Sequence, residues 1–208
     1  MSLQKFIAAQ FRKPSGRFGS LVMTRLMNRV NRQIAERTIA LLDLDPAHQT
    51  LEIGFGGGVA LSLVAERLTT GVISGVDFSE DMVRRAERKL QGWIARGRMQ
   101  LRAGDVSRLP YPEASFDRVY TINTIYFWPD ALQGMNEIRR VLRDGGRAAV
   151  SIRSKEKMEN HRVTQHGFRL FSPNDLADLM RKSGFRDVGI DHRDPEHWYD
   201  QVVVIGTR

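Results

Sequence analysis

Residues 51–58 read Leu51-Glu52-Ile53-Gly54-Phe55-Gly56-Gly57-Gly58. A short β-type run carrying one acid breaks into glycines at positions 54, 56 and 58. From Gly58 to about Leu68 the apolar residues Ala60, Leu61, Val64, Ala65 and Leu68 keep helical spacing. A glycine-rich turn between a first parallel strand and its helix lets a ligand approach the backbone without meeting Cβ atoms. A dinucleotide-binding turn would place a third glycine three residues after the second, and position 59 is Val59. The acid at Glu52 is poorly placed for a pyrophosphate and well placed for a cationic amino group. The alternative is a turn that is glycine-rich only for packing.

The same alternation continues outward. Val72 to Asp77 reads as a strand, Ser79 to about Trp93 as a helix with Ser79 as its N-cap, and Met99 to Ala103 and Phe116 to Ile122 as further strands. Asp130 to Leu142 is a helix with Leu132, Met135, Ile138, Val141 and Leu142 on one side, and Gly146 to Ile152 a fifth strand. Strands alternating with helices predict a doubly wound, mostly parallel α/β sheet. Ser172 and Pro173 open one more helix, facing the core through Leu176, Leu179 and Met180. Strands Phe185 to Asp191 and Trp198 to Gly206 are then too close for a helical crossover, so they are expected to pair as an antiparallel C-terminal hairpin. That makes seven strands.

Composition narrows the chemistry. The chain has 208 residues, enough for one substantial core, and no cysteine, which excludes disulfides, Cys-ligated zinc, iron–sulfur clusters and thiol catalysis. No metal site is expected. No apolar run approaches the roughly 20 residues that span a bilayer, and the N-terminus lacks a secretion-signal core, so a cytoplasmic protein is the expectation. The net charge is +8. Residues 1–40 hold Lys5, Arg12, Lys13, Arg17, Arg25, Arg29, Arg32 and Arg37 against Glu36 alone, a local +7, leaving +1 for the rest. A broad nucleic-acid face is therefore not expected.

Two further acids sit at strand ends. Asp77 closes the second strand, nineteen residues after Gly58, where a carboxylate can accept both hydroxyls of a ribose. Asp105, in Ala103-Gly104-Asp105-Val106, can accept from an exocyclic adenine amine or simply cap its turn. Phe78 and Met82 either flank a base or join the core.

Glu52-x-Gly54-x-Gly56-x-Gly58, Asp77, Gly104-Asp105, Phe116-Asp117 and Leu142-Arg143-Asp144-Gly145-Gly146, in that order, resemble the class I S-adenosylmethionine-dependent methyltransferases. The likeness is greatest to the small-molecule branch that includes the ubiquinone/menaquinone-biosynthesis type, and it covers residues 45–208. It implies a Rossmann-like methyltransferase domain over 45–208, preceded by a helical extension over 1–44. It implies S-adenosylmethionine as cofactor, held by Glu52, Gly54, Gly56, Gly58, Asp77, Phe78, Met82, Gly104, Asp105, Val106, Ile122 and Asn123. Glu52 and the glycines would take the methionine part, Asp77 the ribose and Asp105 the adenine.

The chain departs from the family at three places. Phe55 stands where a smaller residue is usual. The histidine pair of many relatives after the fourth strand is replaced by Asn123-Thr124-Ile125-Tyr126-Phe127-Trp128-Pro129. The Asn-Pro-Pro-Tyr-type signature is missing, which argues against methylation of DNA adenine. Tyr126, Phe127 and Trp128 either line an acceptor pocket or pack as core, and Tyr126 is the expected water-facing member. His161 and His166 lie between the fifth strand and its following helix, where relatives cover the acceptor. Each is a candidate general base, with an ordinary surface histidine as the alternative.

From Met23 onward Leu26, Met27, Val30 and Ile34 share a helical stripe while Arg25, Arg29 and Arg32 share another face. A lid over the cofactor cleft is the expected role, and peripheral membrane contact through residues 1–40 the sharper one. The sequence thus points to methyl transfer onto a small-molecule acceptor. Its rivals are a membrane-surface enzyme acting on a quinone precursor or phospholipid headgroup, and an S-adenosylmethionine-binding protein without catalysis.

Overall fold

In the computed structural model β1 (Gln49–Ile53), β2 (Val72–Asp77), β3 (Met99–Ala103), β4 (Phe116–Ile122), β5 (Leu142–Arg153), β6 (Arg186–Arg193) and β7 (Gln201–Thr207) form one sheet, in the order β3-β2-β1-β4-β5-β7-β6. The structure describes residues 21–159, 164, 165, 167–193 and 200–208, and the backbone alone for 21–30 and 193. β1 to β5 run parallel to their neighbours, β7 is antiparallel to β5, and β6 to β7. The expected doubly wound sheet and terminal hairpin are both present.

Helices α1 (Leu21–Ala40), α2 (Val59–Arg67) and α3 (Glu80–Ala95) cover one face, and α4 (Ala131–Val141) and α6 (Pro173–Lys182) the other. Period-two alternation sorts the strands between them. Leu51, Ile53, Val119, Ala148, Val150, Ile152, Val202 and Val204 join the α4/α6 core, while Tyr120, Ala149 and Val203 join the α1–α3 core. Buried on both faces, these strands read as near-continuous apolar runs, so the single acid in β1 stands out.

Local chemistry fixes the helix ends. Asp130 caps α4, accepting from the amides of Leu132 and Gln133. Ser172 and Asp175 form a reciprocal capping box ahead of α6, with Pro173 in its first turn. Short α5 (Lys155–Met158), which no pattern announced, starts the segment after β5, and the Lys155 amide donates to Phe171 O at 3.0 Å.

The helix anticipated from Met23 is α1, and its last turns are buried at Ile34, Ala35, Thr38 and Ile39. Gln201 Nε2 donates to Ile34 O at 3.1 Å, Thr38 Oγ1 at 3.2 Å and Ser151 Oγ at 2.9 Å. Arg37 adds an ion pair with Asp191 and a 2.8 Å bond to Gln201 O. Together these bolt α1 to β5 and β7 at the sheet edge where β5 ends. The arm residues 1–20 lie outside the described residues. Among the described residues no helix is long and apolar enough to cross a membrane.

Candidate active site

All parallel strands end at one edge, and the order reverses between β1 and β4. The loops leaving these two strands diverge there and open a crevice, the usual ligand position in such sheets. Every described candidate residue lies at this edge.

The glycines split into two kinds. Gly54, Gly56 and Gly58 have φ of 73°, 47° and 69°, the left-handed region that disfavours side chains. A Cβ on Gly54 would stand 2.4 Å from Thr124 Cγ2, and one on Gly58 2.9 Å from Leu90 Cδ1, so both positions are closed by packing. A Cβ on Gly56 or Gly57 would meet nothing within 4 Å. The middle of the loop is therefore an open backbone cradle held between two packed ends. Lys89 Nζ steadies it with a 2.9 Å bond to Gly57 O.

Asp77 ties this loop to the next one. Its Oδ2 accepts from the Gly56 amide at 2.8 Å and its Oδ1 from the Ser79 amide at 2.9 Å. Each oxygen keeps a lone pair for a further donor such as a ribose hydroxyl. Burial pushes the Asp77 carboxyl up, against the opposing effect of those two amides. Ser79 does occupy the N-cap of α3, but the expected capping bond from its side chain is absent, and Asp77 serves its amide instead. The Ser79 hydroxyl is a buried polar atom without a hydrogen-bond partner among the described residues. An open cradle, a carboxylate with spare acceptor capacity and an unsatisfied hydroxyl fit a polar nucleoside ligand.

Glu52 lies beneath the loop, 3% exposed, and Tyr120 Oη donates to its Oε2 at 2.9 Å. Burial raises its carboxyl to about 8; the Tyr120 bond and the Leu61 amide oppose that rise, and Asp77 adds to it. Phe78 is 58% exposed at the crest, while Met82 is buried at 7% beneath it. The two residues expected together thus separate, Phe78 on the surface and Met82 in the packing. The Gly104 amide donates to Asp77 O at 3.0 Å, and Val106 is buried. Asp105 Oδ1 accepts from the Ser107 amide at 2.8 Å, so it does cap its turn; no other side-chain hydrogen bond of Asp105 is seen among the described residues.

Across the crevice, Ile122 ends β4 half-buried and Asn123 follows with φ 57°, a left-handed non-glycine residue at the ligand edge. Tyr126 corrects an expectation. It is 3% exposed, and its hydroxyl accepts from the Arg153 amide at 2.5 Å and donates to Arg153 O at 3.1 Å. It fastens the turn after β4 to the end of β5, and Phe127 is the partly exposed ring. Phe168, from the segment after β5, packs 4.6 Å from Phe127 and 6.0 Å from Tyr126 between ring centres. His161 and His166 lie outside the described residues.

Several contributors escaped the sequence reading. Thr121 donates to Ile53 O at 2.9 Å and bonds the Thr124 hydroxyl, which accepts from Trp128 Nε1 at 3.2 Å. This relay holds Thr124 against Gly54. Tyr120 carries a signal in hindsight: it is Glu52's direct partner in the β1–β4 register.

Residues 51–150 match the family described as a methyltransferase domain. An uncharacterized methyltransferase of Bacillus subtilis is 28% identical over 165 residues, 79% of this chain and 86% of that one. A ubiquinone/menaquinone biosynthesis C-methyltransferase of Geobacter sulfurreducens is 31% identical over 122 residues, 58% of this chain and 48% of that one. The chain thus spans most of the first relative but only about half of the second. Among solved structures, phosphoethanolamine N-methyltransferase 2 of Haemonchus contortus, in complex with S-adenosyl-L-methionine, superposes with a TM-score of 0.70 at 16% identity, over 85% of this chain and 52% of that one. With the motif order and the crevice geometry, these likenesses support a class I S-adenosylmethionine-dependent methyltransferase, with S-adenosylmethionine as the cofactor.

Proposed function

We propose that the chain methylates a small organic acceptor bound over the ends of β4 and β5. The observation that carries this reading is the convergence at one crevice of Glu52, the open Gly56–Gly57 backbone, Asp77 and exposed Phe78. In this reading Glu52 faces the cationic methionine end of the cofactor, Asp77 takes the ribose hydroxyls, Asp105 the adenine amine, and Phe78 lies along the base. Gly104, Val106 and Ile122 shape the floor of the pocket. The acceptor lies against Asn123, Phe127 and Phe168.

The cofactor supplies an activated methyl on a sulfonium with a good leaving group, so the protein's task is mainly alignment and exclusion of water. The Thr121–Thr124–Trp128 relay holds the β4 turn at a fixed distance from the glycine loop. Tyr126, through Arg153, fixes the acceptor wall to the sheet. The aromatic rings give that wall an apolar, weakly cation-attracting surface. An acceptor that must lose a proton needs a base, and His161 and His166 are retained as candidates for it.

The test is incubation of the protein with S-adenosylmethionine labelled in its methyl group and a fractionated metabolite extract. Label appearing in a small-molecule fraction supports the reading. Label remaining wholly in the cofactor, with cofactor binding intact, returns the non-catalytic binding protein.

A second reading places the same chemistry at a membrane surface, on a quinone precursor or phospholipid headgroup. The observation in its favour is the +7 charge of residues 1–40 beside an apolar helical stripe.

A further inference from the structure

Glu52 is a buried acid with no cationic partner among the described residues. Its surroundings can be gone through element by element. From β4 comes Tyr120, 1% exposed, donating at 2.9 Å. From β2 comes a second carboxyl, Asp77, which disfavours a charge on Glu52. From α2 comes only the Leu61 amide, in the first turn, since the ionisable residues of that helix, Glu66 and Arg67, sit in its last turn. On α1, Arg32 pairs with Glu36 in solvent and Arg37 is committed to Asp191. A carboxylate so enclosed is costly as an anion, because one phenol and one amide replace its water and, among the described residues, no counter-ion does.

We infer that Tyr120 holds Glu52 as a buried acid which gives up one proton when the cationic methionine end of the cofactor enters, so that cofactor binding is coupled to proton release. The inference rests on the proposed placement of that end over Glu52. The balance is simple. The Glu52 O–H bond breaks, its electron pair stays on the carboxylate, the proton leaves to buffer, and the new anion faces the ligand cation while still accepting from Tyr120. The inverted environment agrees: burial raises the Glu52 carboxyl to about 8, so the free protein carries it neutral at pH 7. Tyr120 acts here as a positioning residue. Its hydroxyl is the side-chain donor that eases ionisation, and it holds the carboxyl under the loop.

Proton linkage gives the expected size of the effect. A group with a free-state value near 8 that ionises fully on binding releases close to one proton per site at pH 6.5, and the apparent dissociation constant falls about tenfold between pH 6 and pH 7. At pH 6.5 the ligand's own amino group is already charged and contributes little uptake.

The experiment is calorimetric titration of the full chain with S-adenosylmethionine at pH 6.5, in two buffers of different ionisation enthalpy. The expected result is release of about one proton by the wild type, almost none by Glu52→Gln, and a release curve displaced to higher pH in Tyr120→Phe. Difference infrared spectra of the wild type supply a readout independent of the variants: a protonated carboxyl band should vanish and a carboxylate band grow as the ligand is added. Ligand binding with less than about 0.2 proton released, or with no infrared change, overturns the inference while leaving the cofactor assignment intact. Failure of the wild type to bind S-adenosylmethionine at all overturns both.

Discussion

The ring of Phe55 lies on the backbone of Gly75: a Cβ built on that glycine would stand 2.7 Å from Phe55 Cδ1. Phe55 is 4% exposed. The large residue that departs from the family pattern in the glycine loop is therefore matched by a missing side chain on the neighbouring strand β2. Leu101 Cδ2, 2.8 Å from the same point, closes the other side.

Gly75→Ala should therefore overpack this layer and cost about 1–3 kcal/mol. Phe55→Leu in the same chain should return part of that loss, because it opens the space the new methyl needs. Chemical denaturation of the two single variants and the double variant checks this. Strict additivity of the two single losses would count against the pairing.

Tyr126→Phe should act on stability before chemistry. It removes the hydroxyl that accepts from the Arg153 amide and lies within donating distance of Arg153 O and of Asn123 Oδ1, so the tie between the β4 turn and β5 is weakened at a cost of about 1–3 kcal/mol. The melting temperature should drop, with cofactor affinity near wild type. Unchanged stability with a large change in acceptor kinetics would restore the reading of Tyr126 as an acceptor contact.

The cofactor-free protein should lose stability as pH rises. The Glu52 carboxyl has a folded value of about 8 against an ordinary 4.5, so folded chains keep a proton that unfolded chains release. The associated stability is fully present below about pH 4.5 and is lost progressively as pH climbs through 8, at up to about 1.4 kcal/mol per unit. Burial of Asp77 acts in the same direction. Thermal melts from pH 5 to pH 8.5 should show a steeper decline in wild type than in Glu52→Gln. Parallel curves would mean that Glu52 is ionised in the free protein.

Deletion of residues 1–20 separates lid from membrane anchor. Lys and Arg near an anionic surface contribute about 1 kcal/mol each, screened within a Debye length. A membrane role predicts that the full chain sediments with anionic vesicles at low salt, is released by added salt, ignores neutral vesicles, and loses vesicle binding on deletion. A lid predicts higher Michaelis constants after deletion and no vesicle binding by either form.

Much of the architecture was legible because period-two and helical spacings are local properties of the chain. β2, β3 and β4 coincide with their expected bounds, and the short connection before Trp198 was enough to specify an antiparallel hairpin. At the site, Glu52, the alternating glycines and Asp77 could be read because each is an unusual residue at the end of a strand. Relations across strands could not be read this way. The Tyr120–Glu52 bond depends on the β1–β4 register, the Thr124–Gly54 contact on how the β4 turn folds back, and the burial of Tyr126 on a backbone amide 27 residues further along the chain. Side-chain character alone made Tyr126 look like the wet member of its cluster. Its hydroxyl did want a partner, and β5 supplied one.

In the proposed function Asp77 holds the cofactor at the β1–β4 crevice. Calorimetric titration of wild type and Asp77→Ala with S-adenosylmethionine tests it most directly, with circular dichroism verifying that the variant is folded. Loss of charge-assisted hydrogen bonds to the ribose, about 1.5–3 kcal/mol each, should weaken binding at least tenfold. A folded Asp77→Ala that binds S-adenosylmethionine as tightly as wild type would contradict the account.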